Sequence, residues 1–185
     1  MKQHIPNFVT GLRIVLTPLI AFVIWQPQEP FLAALGLVLF ITASASDWLD
    51  GYLARQMNFI SPVGRMLDPI ADKLLVAACL LALAASRAAD AMFLVPALTI
   101  LMREILVSGL REHLASSKLI VPVSLAAKWK TAVQMTALGV LIGAPMLSGT
   151  DRIVAETGGL FLLWLAAAMT VQTGVMYFRA AAKHL

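Results

Sequence analysis

The chain has 185 residues, 60% of them hydrophobic and 13% charged, with a mean hydropathy of +0.85. Soluble domains run at about 45–50% apolar and about 25% charged, so this balance excludes an ordinary soluble domain and predicts an all-α integral membrane protein. The net charge of +4 fits basic cytoplasmic loops better than nucleic-acid binding, and the single cysteine, Cys79, excludes an internal disulfide and a Cys-based zinc site.

A membrane-spanning helix needs about 20 apolar residues, and six segments qualify. The first runs from Phe8 to Trp25 and is closed by the Gln26 to Pro30 stretch. It lacks a small-residue cleavage site and reads as a retained helix, not a signal peptide. The second runs from Phe31 to Arg55, and Ser61-Pro62 breaks the chain after it. The third spans Val63 to Ala85, the fourth Ala91 to Leu114, the fifth Leu125 to Leu147 and the sixth Ile153 to Ala182. The residues from Ser148 to Arg152 read as a turn, and Ala115 to Ser124 as the longest connection. There is no internal repeat and no polar stretch long enough for a second domain, so residues 1–185 are expected to form one membrane domain.

Lys and Arg set the expected orientation. Lys2, Arg55, Arg65, Arg111, Lys118, Lys128, Lys130, Arg179 and Lys183 fall on one side, and Arg87 and Arg152 on the other. The positive-inside rule puts both termini in the cytoplasm. The active-site cavity is then expected to open to the cytoplasmic interface.

The chemistry concentrates between Asp47 and Asp72. Four of the ten acidic residues, Asp47, Asp50, Asp68 and Asp72, lie within these 26 positions, between segments apolar enough for lipid. A carboxylate at the bilayer centre costs about 2.5–3.5 kcal/mol, so four cost on the order of 10 kcal/mol before repulsion. Cations can offset that. Asp47 and Asp50 are i, i+3 on one helix, and Asp68 and Asp72 are i, i+4 on the next, so two carboxylate pairs can converge. Oxygen-only ligation suits Mg²⁺ or Mn²⁺, and four carboxylates suffice for a two-ion site of the kind used in phosphoryl chemistry. Gly51, Ala54 and Gly64 leave room near the backbone, although small residues also serve simple helix packing. Arg55 and Ser61 are suited to phosphate. Intramembrane Asp residues also occur in cation and proton transporters, which remain an alternative.

The pattern Asp-x2-Asp-Gly-x2-Ala-Arg-x8-Gly-x3-Asp-x3-Asp, from Asp47 to Asp72, resembles the signature of the CDP-alcohol phosphotransferases at every fixed position. Eight fixed residues match by chance on the order of once in 10¹⁰ starting points. The resemblance implies an enzyme with six transmembrane helices, usually a homodimer, in a bacterial cytoplasmic membrane. It also implies transfer of a phosphatidyl group from CDP-diacylglycerol to an alcohol, with release of CMP. By position, Asp47, Asp50 and Asp68 are implied metal ligands, and Asp72 the general base that also touches the second metal. Gly51, Arg55 and Ser61 match places that contact the cytidine diphosphate, and Ala54 and Gly64 permit its approach. Asn7 and Thr10 are implied contacts of the lipid donor, or else caps of the first helix.

Four further blocks resemble the bacterial members of that family whose acceptor is sn-glycerol 3-phosphate. They are Ile5 to Arg13, Leu67 to Leu74, Arg103 to Glu112 and Lys128 to Gln134. An acceptor phosphate needs positive charge, and Arg103, Arg111, Lys128 and Lys130 are the candidates. Inositol phosphate would need the same, and serine and phosphatidylglycerol are other acceptors within the same chemistry. Basic residues at cytoplasmic helix ends also arise as topology signals or headgroup contacts. Arg103 is the most telling, because it lies deepest in an apolar run. Glu104 and Arg111 share a helix face and can pair with each other. Trp25, Trp48, Trp129 and Tyr177 read as interfacial anchors, and His4 and His113 as plain polar residues.

Overall fold

The computed structural model describes residues 5–26, 29–56, 62–87, 90–116 and 125–182. Within these, the side chains of residues 5–9, 47–56, 62–66, 68, 113, 115–116 and 180 lie outside the description. The described residues form six α-helices and no strand: α1 (Ile5–Trp25), α2 (Pro30–Gln56), α3 (Pro62–Ser86), α4 (Ala91–Ser116), α5 (Leu125–Gly143) and α6 (Gly149–Ala181). A short 3₁₀ turn, Ala144–Met146, follows α5.

Local chemistry explains where the helices start. Pro30 and Pro62 open α2 and α3, where the missing N–H of proline costs nothing. Asp90 caps α4: its Oδ1 accepts from the Met92 N–H at 3.2 Å, and its carbonyl accepts from the Leu94 N–H at 2.8 Å. Two boundaries differ from the sequence expectation. Helix α5 ends at Gly143 instead of Leu147, because Pro145 has no N–H to continue the ladder and the chain tightens into the 3₁₀ turn. Helix α6 begins at Gly149, so the expected turn through Arg152 is already helical. Gly149 enters it at φ +55°, a conformation open to glycine at little cost, and Asp151 suits the positive end of the helix.

The chain divides into two compact units. In the unit formed by residues 1–88 and 142–152, α1 packs against both α2 and α3, and α2 against α3. The buried seam of α1 is Thr10, Arg13, Thr17, Ile20 and Ile24, with alternating spacings of three and four. Helix α3 contributes Ala71, Leu75, Cys79, Leu80 and Leu83. A Cβ on Gly36 of α2 would stand 3.3 Å from Ile24 Cγ1, so the glycine permits close approach of α1.

The other unit, residues 89–141 and 153–185, is built from α4, most of α5 and most of α6. Its buried face combines Phe93, Ala97, Ile100 and Val107 of α4 with Ala137, Leu138 and Leu141 of α5. Helix α6 adds Leu163, Ala166, Ala167, Thr170, Thr173 and Tyr177. The Trp164 indole N–H donates to the Met92 carbonyl at 2.9 Å and ties α6 to the start of α4.

The core is mainly apolar, and so is much of the outer surface. Buried positions include Thr10, Arg13, Thr17, Lys130, Gln134, Thr170 and Thr173, while Val15, Phe31, Leu81, Ile105, Ile153 and Phe161 are more than 60% exposed. Such outward apolar faces belong in lipid. Several hydroxyls within the helices are satisfied locally: Thr42, Ser44 and Ser46 donate to the carbonyls of Val38, Phe40 and Thr42. Among the described residues, three stretches are long and apolar enough to cross a membrane: Pro69–Ser86, Ala91–Glu112 and Gly149–Arg179. Thr10–Trp25 and Pro30–Ser46 are shorter apolar stretches. The chain is a helical membrane protein.

Candidate functional site

The acidic stretch lies in the first unit. Asp47 and Asp50 fall one turn apart on the unbroken α2, and Asp68 and Asp72 one turn apart on α3. Asp72 is half-buried beside the fully buried Ala71. The side chains of Asp47, Asp50, Gly51, Ala54, Arg55, Gly64, Asp68 and Asn7 lie outside the described residues, and Ser61 lies outside them altogether. Among the described residues no three potential ligands cluster. The helix register and the donor chemistry nevertheless fit hard divalent cations: the four residues offer only carboxylate oxygens, on two neighbouring helices.

On α1, Thr10 is buried and sits more than a turn inside the helix, so it is not the cap that its residue type allows. Arg13, also buried, lies on the same face. The Thr17 hydroxyl, one turn further on, donates to the Arg13 carbonyl at 2.8 Å.

The second unit contains a buried polar cluster. Arg103 on α4 extends its guanidinium toward α6. Its Nη2 donates to Thr173 Oγ1 at 2.9 Å, and its Cζ lies over the Tyr177 ring, 5.8 Å from the centroid. Nη1 donates to Glu104 Oε1 at 3.1 Å. Lys130 of α5 donates to that same carboxylate oxygen. The three charged side chains are only 12%, 19% and 6% exposed for Arg103, Glu104 and Lys130. Thr173 can accept from Arg103 because its own hydroxyl donates along the helix, to the Met169 carbonyl at 2.8 Å. Gly174 makes room for the arginine: a Cβ there would stand 3.2 Å from Arg103 Cγ and 3.4 Å from Nε.

Two cations and one carboxylate leave this cluster with one net positive charge. Burying an isolated cation costs several kcal/mol, and sharing Glu104 offsets part of that. Spare polarity remains as well. Arg103 Nε, Gln134 Oε1 and Thr170 Oγ1 are buried with no hydrogen-bond partner among the described residues. The arrangement is suited to an anion.

Of the four basic residues expected to hold an acceptor phosphate, the structure brings Arg103 and Lys130 together and leaves Arg111 and Lys128 exposed. The expected pairing of Glu104 with Arg111 is not what forms. Lys130 arrives from α5 and Arg103 curls back, so Glu104 binds these two instead. Tyr177 is corrected likewise. It is 7% exposed and lies beneath Arg103, so it is not an interfacial anchor, whereas Trp25 and Trp129 are more than half exposed. Sequence reasoning missed Thr170, Thr173 and Gly174. Their signal was present as a run of small and polar positions, with Tyr177, on one face of an otherwise apolar helix.

A family model described as CDP-alcohol phosphatidyltransferase matches residues 3–178. A Rickettsia bellii protein named CDP-diacylglycerol--glycerol-3-phosphate 3-phosphatidyltransferase is 43% identical over 184 residues, covering 100% of this chain and 98% of its own. A Rickettsia felis protein of the same name is 42% identical with the same coverage. A rice (Oryza sativa subsp. japonica) protein named cardiolipin synthase (CMP-forming) is 37% identical over 186 residues, covering 95% of this chain and 56% of its own.

Proposed function

The chain belongs to the CDP-alcohol phosphatidyltransferase family, and from that premise we infer its reaction. It is an enzyme that transfers the phosphatidyl group of CDP-diacylglycerol to sn-glycerol 3-phosphate, giving phosphatidylglycerophosphate and CMP. The observation that carries this conclusion is the end-to-end similarity, at 43% identity, to a relative named for that reaction.

The residues divide the chemistry as follows. The acceptor hydroxyl attacks the phosphorus that carries diacylglycerol, its bond to the CMP oxygen breaks, and the acceptor proton passes to the Asp72 carboxylate as general base. Asp47, Asp50, Asp68 and Asp72 would hold two divalent ions, Mg²⁺ or Mn²⁺, which supply charge neutralisation at the diphosphate and at the departing CMP. Gly51, Ala54, Arg55, Ser61 and Gly64 receive the cytidine diphosphate end of the donor, with Asn7 and Thr10 beside it. Arg103 and Lys130 bind the acceptor phosphate. Their burial around one carboxylate favours them over the exposed Arg111 and Lys128, which serve as outer attraction for the anion.

Residues 1–185 work as one catalytic domain, a reading supported by the family match across 3–178. Six helices cross a bacterial cytoplasmic membrane with both termini inside, and the active protein is a homodimer. The expected basic asymmetry of the loops supports the orientation.

Purified protein given CDP-diacylglycerol, Mg²⁺ and one acceptor at a time tests the reaction. CMP release is expected with sn-glycerol 3-phosphate. Release with phosphatidylglycerol alone would overturn the acceptor assignment. No release with any acceptor would overturn the enzyme reading.

A further inference from the structure

Glu104 and Gly174, in the buried cluster of the second unit, have no assigned part in acceptor recognition. We infer that Glu104 and Gly174 are positioning residues for the acceptor phosphate: Glu104 pins Arg103 and Lys130 to one point by charge, and Gly174 gives Arg103 the space to lie along α6. This rests on the reading of Arg103 and Lys130 as phosphate ligands.

Arg103 and Glu104 are adjacent on α4, and adjacent helix positions do not face each other. Their contact therefore requires the arginine stem to bend across the surface of α6. Gly174 eases that bend: an added methyl would stand 3.2 Å from Cγ, close enough that the arginine stem would have to shift by a few tenths of an ångström. Thr173 and the Tyr177 ring then fix the guanidinium from the α6 side. Lys130 approaches from a third helix and meets the same Glu104 oxygen. Without that carboxylate the two cationic heads repel each other in a poorly solvated interior.

The anchor consumes few donors. Among the described residues, one of the five N–H groups of arginine meets Glu104 and one meets Thr173, leaving three, among them the buried Nε. Of the three lysine donors, one meets Glu104 and two have no partner among the described residues. A tetrahedral phosphate presents several acceptor oxygens, so a pinned pair with spare donors is matched to it. Because a single carboxylate opposes two cations, the subsite keeps one net positive charge and favours an anionic acceptor over a neutral alcohol.

Full-length protein in detergent, carrying Glu104→Gln, Gly174→Ala, Lys130→Met or the Glu104→Gln/Lys130→Met pair, provides the test. CMP release is measured with each substrate varied in turn. Lys130→Met should raise the KM for sn-glycerol 3-phosphate by well over tenfold. Glu104→Gln should raise it about tenfold, as loss of a charged hydrogen bond does, while the KM for CDP-diacylglycerol stays within about twofold. In the double variant Glu104→Gln should add clearly less than its single effect, because one of the two cations it positions is already gone. Gly174→Ala should raise the acceptor KM several-fold without moving the lipid KM.

Full multiplication of the two single effects, or equal rises in both KM values for Glu104→Gln, would overturn the positioning role of Glu104. An unchanged acceptor KM in Gly174→Ala would overturn that of Gly174. If Glu104→Gln does not fold, Gly174→Ala decides, provided its elution and thermal midpoint match the wild type. An unchanged acceptor KM in Lys130→Met would remove the phosphate subsite itself, an outcome distinct from failure of its positioning.

Discussion

Asp72 and Lys130 show how differently two charged residues inside apolar helices can be read. Asp72 was legible as chemistry because it belongs to a fixed spacing with Asp47, Asp50 and Asp68. Its substitution by Asn keeps size and polarity and removes the proposed proton acceptor. Asp72→Asn should lower kcat by about 10²- to 10⁴-fold, the usual worth of a general base, while CDP-diacylglycerol binding stays close to wild type. Single-turnover rates and equilibrium binding of the lipid check this, and wild-type turnover would remove Asp72 as the base. Lys130 carried no comparable signal. In sequence it shares a short basic run with Lys128, yet one is buried against Glu104 and the other is exposed. A two-residue offset on a helix turns a side chain by about 200°, and nothing local says which one faces inward.

At the level of the helices, boundaries follow the residues that start and stop them. The proline breaks at Pro30 and Pro62 were readable, and α1 to α4 lie within a few residues of expectation. The α5–α6 junction was not, because Ser148 to Arg152 has the composition of a turn although most of it is helix. Packing between helices was less legible still. Gly158 and Gly159 are adjacent on α6, but a Cβ at 159 would lie 2.7 Å from Leu141 Cγ and Cδ2, and one at 158 would meet nothing within 4 Å. Gly159→Ala should therefore cost about 1–3 kcal/mol through overpacking. Gly158→Ala should be neutral or stabilise slightly, since alanine is the better helix former. Thermal unfolding of the two variants in detergent checks the contrast; equal midpoints would show that α5 and α6 do not approach closely at Gly159.

For the whole molecule, the deciding quantity is the polarity of its outer surface. Large apolar side chains face outward along α1, α2, α4 and α6, while Thr10, Arg13, Thr17, Lys130, Thr170 and Thr173 face inward. Such a surface is expected to keep the protein in the membrane fraction through high-salt and alkaline washes, which release proteins held by surface charge alone. Reporter fusions at the two ends test the orientation: both should report the cytoplasm, and opposite signals would require an odd number of spans.

The sequence by itself determined the helical membrane class, the approximate limits of most helices and the acidic motif with its family. These depend on composition, periodicity and spacing, which are properties of the chain read locally. Tertiary structure alone decided that Glu104 serves Arg103 and Lys130 instead of Arg111, that Tyr177 lies beneath a guanidinium, and that Gly174 is a slot. Those outcomes depend on which faces of α4, α5 and α6 meet. That is set by the summed packing of apolar and small residues along three helices, and a charged side chain then takes whatever partner the packing brings within reach.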